Sequence, residues 1–537
     1  MGFVWTYLKT RLNGLIIASI LSYLSGLGIV FIMRSFHKAL KDGIDDPVHF
    51  FLLVGLALIG YVFFTLMGEK VLFDQIEEVV KKMRIDFCSN IFNSKYEDVE
   101  GKKDELFSSL VSDIKTISRI LEKLPKVNQS FVISVGGIIY LIFVSWQLSL
   151  VMIFFMFPTF LVISRRNKKG YKLNKASRKS WDSVYNSFYD AIFGIKELNL
   201  NSQLKENFIE NDLKRSVEKE AKKKVRFRFH SHASNTISSA ILIFCICTTF
   251  AVSMTYQQMS TTVFVEFLTI ALFLINPITT FSKFGKDVIT LNVLADHIQE
   301  IGMQLGSNVP PKTQPIKTQN QPIYLNEVEF TYHSSEEDHN FHLGPITATI
   351  PLNEVTIICG SNGSGKSTLS KVLTGLYRPN TGSLFYGDQE ITDQNLQSYR
   401  DKISAVFTDN HLFKRNEISE SETERSKQLI KLFEIDRHVK IENGQMRYTG
   451  LSSGQSKRLA LVLSMLHDKE IYIFDEWAAN QDSKFKKSFY YKLVPMLKEA
   501  NKTVILITHD DQYFSIADNL IQMIDGKIAQ YKTASAS

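Results

Sequence analysis

The run VTIICGSNGSGKST, Val355 to Thr368, is an apolar strand that empties into a glycine-rich loop. A helical pattern from Leu369 to Leu376 follows it. This is GxxxxGK[ST] in a strand–loop–helix setting, which is the setting the motif needs to bind phosphate. Glycines let backbone N–H groups close around an anion, and the helix N-terminus adds partial positive charge. Gly360, Asn362, Gly363, Gly365 and Thr368 are expected to form the cradle. Lys366 is expected to reach the β and γ phosphates, and Ser367 to ligate Mg²⁺.

Downstream, a second apolar strand, Ile471 to Phe474, ends in Asp475-Glu476. Four apolar residues feeding a carboxylate form a Walker B arrangement. Asp475 is expected to hold Mg²⁺ and Glu476 to act as the general base on the attacking water. Between the two motifs lies Leu451-Ser452-Ser453-Gly454-Gln455. It resembles the LSGGQ signature of ATP-binding cassette (ABC) proteins, with Ser453 in place of the first glycine. The resemblance implies that Ser452, Ser453, Gly454 and Gln455 contact ATP held by an opposing cassette. Other positions are similar as well. Tyr332 looks like the aromatic that stacks on adenine, His509 like the switch histidine that senses the γ-phosphate, and Asp482 like the D-loop aspartate. One position departs: Thr408 stands where the family has a Q-loop glutamine, followed by Asp409. The Mg²⁺ contact at that place is expected from Thr408, directly or through water, or to pass to Asp409.

The segments FTDNHLF, LSSGQSKRLAL and DEWAANQD look like the subfamily that exports cyclic peptides and siderophores, with bacterial lasso-peptide exporters the nearest resemblance. Phe341 to Pro345 and the run His509 to Phe514 fit the same pattern. No peptidase domain precedes the first apolar run, so leader cleavage by this chain is not expected.

The N-terminal half has a different character. Uncharged or nearly uncharged apolar runs cover Leu12–Met33, Phe50–Met67, Phe131–Trp146, Leu148–Ile163, Ile237–Met254 and Val263–Phe281. About 20 apolar residues cross a bilayer as a helix, so these are expected to be six spans. Trp146-Gln147 marks a tight turn between the third and fourth. The connection after the second run carries Lys81, Lys82, Arg84, Lys102, Lys103 and Arg119; the one after the fourth carries Arg165, Arg166, Lys168, Lys169 and Arg178. The Lys/Arg bias places both connections inside, and with six spans both termini and the ATPase domain are expected in the cytoplasm. Ile76, Val79, Val80, Met83 and Phe87 recur at helical spacing. The spans are therefore expected to continue as helices past the bilayer, turning near Lys95–Gly101 and Asn199–Gln203. Glu266 lies in the sixth run, either as a functional intramembrane carboxylate or as a group reaching water at the outer end. Asn276-Pro277 loosens the same run, as a hinge or a kink.

Composition agrees with two unlike halves. The 537 residues have hydrophobic content of 45%, charged content of 22% and a net charge of +7, which excludes intrinsic disorder and a dedicated nucleic-acid binder. The mean hydropathy of −0.04 averages an apolar half and a polar half. Cys88, Cys245, Cys247 and Cys359 show neither metal-ligand nor disulfide spacing. The expected architecture is multidomain: a six-helix α-helical transmembrane domain of ABC exporter type over 1–304, a linker over 305–322, and an α/β P-loop nucleotide-binding domain over 323–537. The expected function is ATP hydrolysis driving export of a peptide-like natural product or siderophore precursor across the bacterial inner membrane. The cofactors are ATP and Mg²⁺, and the partners are a second copy of the chain, the cargo and membrane lipids, with no nucleic acid. A lipid flippase of the same fold and a non-transporting sensor or immunity protein are the alternatives.

Overall fold

The computed structural model of the chain describes residues 2–44, 46–255, 261–304, 314–316, 318–332, 341–414 and 416–533. Two compact units emerge, residues 1–94 with 98–307, and residues 95–97 with 308–537.

The first unit is built on long helices: α1 Leu12–Asp42, α2 Pro47–Asn93, α3 Leu124–Val144, α4 Trp146–Phe193, α5 Lys214–Thr255 and α6 Thr261–Gln304. Local chemistry sets their ends. The Asp46 carboxylate accepts the Val48 and His49 amide N–H groups ahead of Pro47, which suits a first helical turn. Between α3 and α4 a single residue, Ser145, turns the chain, and its hydroxyl accepts the Leu148 N–H at 3.4 Å. Among the described residues four segments are long and apolar enough to cross a membrane: Leu12–Phe36, Pro47–Asn93, Lys103–Val144 and Phe267–Gly302. The fourth and fifth apolar runs include side chains outside the described residues, as do Glu266, Phe155, Phe157 and Phe160.

The apolar window of α2 is 0% buried within the unit, and Phe51, Leu56, Ile59, Phe63 and Leu66 are exposed on it. Apolar surface of that extent has hydrocarbon as its solvent. Further along the same helix the pattern reverses. Ile76, Val79, Val80, Met83 and Phe87 are all buried, packed with Ile114, Ile117, Leu294 and Ile298. A second cluster joins α3, α4 and α6 through Ile133, Leu141, Met152, Phe267 and Leu274. Gly137 is what lets α3 and α6 approach, since a Cβ there would meet Leu274 Cδ2 at 2.3 Å.

Among the described residues the second unit holds two main sheets and a small antiparallel one formed by Asn416–Glu417, Val439–Glu442 and Gln445–Tyr448. The main sheets are built on β1 Ile323–Tyr332, β2 Phe341–Ile350, β3 Val355–Gly360, β4 Thr381–Tyr386, β5 Ile403–Val406, β6 Ile471–Asp475, β7 Thr503–Ile507, β8 Asn519–Ile524 and β9 Lys527–Thr533, with the two-residue strand Gln389–Glu390 at the edge beside β4. The larger sheet has the order β9-β8-β3-β7-β6-β5, parallel except for β9. Strands β6 and β7 are buried at every residue, so they read as continuous apolar runs rather than alternating ones. The antiparallel sheet β2-β1-β4 adds to the expected α/β layout, and β2 alternates buried and exposed residues along most of its length. Apolar side chains of both sheets, including Val328, Ile346, Ile358 and Ile505, share one core. Helices α7 Lys366–Leu373 and α8 Ser453–Leu466 pack on the larger sheet.

Two details depart from a reading by composition. Within the Pro- and Gln-rich stretch expected to be a linker, Ile316 is buried in this core and its N–H donates to Ser398 Oγ at 2.9 Å; residues 305–313 and 317 lie outside the described residues. The second unit also takes in Lys95–Glu97, where the Glu97 carboxylate accepts the Arg378 N–H at 2.9 Å.

In the first unit, Asp113 lies in a π-helical turn, Ser109–Asp113, with its side chain 2% exposed. Arg178 on α4 donates to it at 3.0 Å, and His297 on α6 contacts it through Nδ1 at 2.9 Å. Removing one partner of a buried ion pair leaves a charge without compensation, at a cost of about 3–5 kcal/mol. Arg178→Met is therefore expected to lower the thermal unfolding midpoint of the detergent-solubilised protein by several degrees, whereas the exposed pair partner Lys214→Met leaves it unchanged.

Candidate active site

Strand β3 ends at Gly360, whose φ of +149° no other residue adopts comfortably. A Cβ at Gly360 would also lie 2.3 Å from the Met523 carbonyl oxygen. The loop then turns through Gly363 and Gly365 into α7, where the Leu369 N–H donates to the Gly365 carbonyl at 2.8 Å. Lys366, 5% exposed, folds back along this loop and donates to the carbonyls of Gly360 at 3.0 Å and Ser361 at 2.8 Å. The Ser364 hydroxyl is buried with no hydrogen-bond partner. A buried orphan hydroxyl and a buried ammonium resting on carbonyls both suit an anion in the loop.

The loop opens on a cavity of about 470 Å³ lined by Phe341, Asn362, Gly363, Gly365, Lys366, Ser367, Thr368, Thr408 and Glu476. All but Phe341 were expected from the sequence. Asp475, 3% exposed, sits at the end of β6 and accepts the Ser367 hydroxyl at 3.4 Å. Burial pushes its carboxyl above the usual range; the Ser367 hydrogen bond opposes this, the neighbouring Glu476 adds to it, and Lys366 opposes it. Thr408 donates its hydroxyl to the Asp475 carbonyl at 3.2 Å. Two hydroxyls and one carboxylate are hard oxygen donors, the chemistry Mg²⁺ prefers when phosphates and water complete its shell. Among the described residues no group of three or more His, Cys, Asp or Glu side chains forms a metal cage.

Glu476 follows β6 in a left-handed conformation, φ +47°. Its N–H donates to the Ile507 carbonyl at 2.9 Å, and its Oε1 lies 3.8 Å from His509 Nδ1. A non-glycine residue in that region costs of order 1–3 kcal/mol and persists where the surroundings hold it. Here the bend turns the carboxylate toward the cavity that holds Lys366 and Ser367.

Other expected residues are not brought to this cavity within one chain. Ser452 caps α8: its hydroxyl accepts the Gln455 N–H at 3.3 Å, and the Gln455 side chain accepts the Ser452 N–H at 2.8 Å. Ser452 and Ser453 are exposed, and the signature does not line the phosphate cavity. Asp482 caps the helix Ser483–Ser488 and pairs with Arg458 at 2.9 Å; the Phe485 N–H it accepts is the main cause of its lowered carboxyl pKa. Tyr332 ends β1 directly across from Phe341, and only Phe341 lines the cavity. The sequence reading missed Phe341 as a site residue. The one available signal was its position at the start of the FHLGP stretch, which carries no phosphate chemistry of its own.

Comparison with known proteins follows the same division. Residues 343–479 match the ABC transporter family, and residues 15–278 match the ABC transporter transmembrane region. The chain is 30% identical over 542 residues to the ATP-binding protein SyrD of Pseudomonas syringae pv. syringae, covering 98% of this chain and 94% of that protein. It is 32% identical over 222 residues to the energy-coupling factor transporter ATP-binding protein EcfA1 of Mycoplasmopsis synoviae (strain 53), covering 38% of this chain and 80% of that one. A solved structure of a bacterial Atm1-family ABC exporter with ATP bound superposes with a TM-score of 0.79 at 15% identity, over 98% of this chain and 96% of that chain.

Two variants separate binding from hydrolysis. Glu476→Gln is expected to lower ATP turnover by about 10²–10⁴-fold, the usual contribution of a general base, while ATP still raises the melting temperature. Lys366→Ala is expected to lose both the turnover and the ATP-induced thermal shift. The raised Asp475 carboxyl pKa has its own consequence. Protons compete for that group up to a higher pH than at an ordinary aspartate, so the Mg²⁺ concentration for half-maximal ATPase is expected to fall as pH rises from mildly acidic to neutral.

Proposed function

This chain belongs to the ABC transporter family as an ATP-hydrolysing exporter with a membrane domain and a cassette, and on that premise we propose that two copies assemble into one exporter of a peptide-like natural product or siderophore precursor. The observation that carries the assembly is the signature, Ser452–Gln455, which has Ser452 and Ser453 exposed and does not line the phosphate cavity of its own chain. A second copy facing it supplies that cavity, so each dimer has two composite ATP sites.

In each site Lys366 and the loop N–H groups bind the phosphates, with Phe341 in the cavity wall and Tyr332, across from it on β1, available to the adenine. Ser367 and Asp475, with Thr408 beside them, would hold Mg²⁺, which would supply positive charge against the phosphates. Glu476 orients and deprotonates the attacking water, and His509, within 3.8 Å of its carboxylate, senses the γ-phosphate. Asp482 joins the two sites. The six apolar helices span the inner membrane, with the basic connections, both termini and the cassette on the cytoplasmic side.

The cargo reading rests on the cassette segments FTDNHLF, LSSGQSKRLAL and DEWAANQD. Reconstitution in liposomes tests it. A lasso or cyclic peptide is expected to stimulate ATPase severalfold and to accumulate in inside-out vesicles when ATP is supplied. Stimulation by lipid composition alone, with no peptide uptake, would replace this reading with lipid translocation.

A further inference from the structure

Lys457 lies one turn into α8, the helix that the signature opens, and is 6% exposed. Its Nζ donates to the Glu476 carbonyl at 3.3 Å. In return the Lys457 carbonyl accepts the Trp477 indole N–H at 2.8 Å. Trp477 is 2% exposed and stacks on Phe489 with ring centroids 4.5 Å apart. Two adjacent residues of the bend after β6 are thus tied to one residue of α8, once through its side chain and once through its backbone.

The tie falls where it has leverage. Glu476 is the residue held at φ +47°, and fixing its carbonyl restricts the rotation by which that bend would relax. An ammonium buried among protein atoms is disfavoured, and the carboxylates of Glu476 and Asp475 offset part of that cost. The same end of α8 is fixed to the following loop at further points. Gln481 Nε2 donates to the Gly454 carbonyl at 3.0 Å, and Arg458 donates to Gln481 at 2.8 Å and to Asp482 at 2.9 Å. Signature helix and loop 476–482 are therefore one hydrogen-bonded body.

We propose that Lys457 is a positioning residue, which holds the Glu476 bend in register with the signature helix and so makes the base of one ATP site answer to the occupancy of the other. The inference rests on the two-site dimer proposed above. The signature end of α8 meets the nucleotide bound by the opposite copy, and the Glu476 end of the same body serves the nucleotide bound by its own chain. A nucleotide pulling on Ser452 then shifts Glu476 through the Lys457 link.

The test is a double-mutant cycle on the full-length protein in lipid nanodiscs, reading ATPase kinetics with ATP and Mg²⁺. Lys457→Met keeps the side-chain length and removes the donor and charge; Lys457→Arg restores both. Lys457→Met is expected to lower kcat roughly tenfold or more with the ATP KM within about twofold, the signature of an interaction felt only after binding. Lys457→Arg is expected to recover most of that loss. Ser452→Ala weakens the trans contact, and the double variant Ser452→Ala/Lys457→Met is expected to be no slower than the slower single variant, because both changes cut one path. Multiplying losses, or a kcat for Lys457→Met equal to that of the unchanged protein, would overturn the proposal. If Lys457→Met does not fold, Lys457→Gln takes its place in the cycle. Glu476→Gln in the same preparation keeps the outcomes distinct. If it abolishes turnover while the Lys457 variants are unaffected, the positioning role fails and the ATPase reading stands; if it too retains turnover, the site assignment itself fails.

Discussion

A buried ammonium must find oxygen partners, and Lys366 finds them in two carbonyls of its own loop, Gly360 and Ser361. That contact is the constraint on which the cassette depends. It requires a loop tight enough to bring carbonyls within 3.0 Å of Nζ, hence the left-handed glycines at 360, 363 and 365. It requires a rigid strand to present the loop, hence β3 in the middle of the parallel sheet with β7 and β8 as neighbours. Carbonyl dipoles are poor substitutes for an anion. The ammonium is therefore poised to exchange them for phosphate oxygens.

The rest of the chemistry lies at the carboxyl ends of the neighbouring strands, as expected for an open parallel sheet. Strand β6 delivers Asp475 and Glu476, β5 leads to Thr408, and β7 leads to His509. Because β3, β7, β6 and β5 are adjacent in the sheet, residues far apart in sequence meet around one cavity. The signature opens a helix with Ser452 and Ser453 exposed, and it does not line that cavity. In the proposed dimer one chain holds the phosphate cradle and Glu476, and its copy supplies the second wall.

Most of this site is legible in the sequence because its constraints are local. A phosphate loop needs particular glycines and a lysine within a few residues, and a metal carboxylate needs only an apolar strand before it. The helical-period face of Ile76, Val79, Val80, Met83 and Phe87 was readable for the same reason, and all five side chains are buried. What escaped depends on contacts across the fold. Phe341 reaches the cavity because β2 pairs with β1 beside the loop, and Ile316 is buried despite its polar neighbours. The Lys457–Glu476–Trp477 tie joins residues twenty positions apart, with no pattern to announce it. In the membrane half, hydropathy set the spans, but a cargo pocket is a matter of which helix faces converge, and alternation along one helix does not encode that.

The central claim is that two copies complete each ATP site, and an ATP-dependent disulfide tests it most directly. With the four native cysteines replaced and Glu476→Gln present to hold the nucleotide, Asn362→Cys marks the phosphate loop and Ser453→Cys the signature. Under mild oxidation the account predicts a covalent dimer that forms with ATP and Mg²⁺ and is lost when either substitution is omitted. Monomer alone in the presence of saturating ATP, with ATP binding intact by thermal shift, would contradict it.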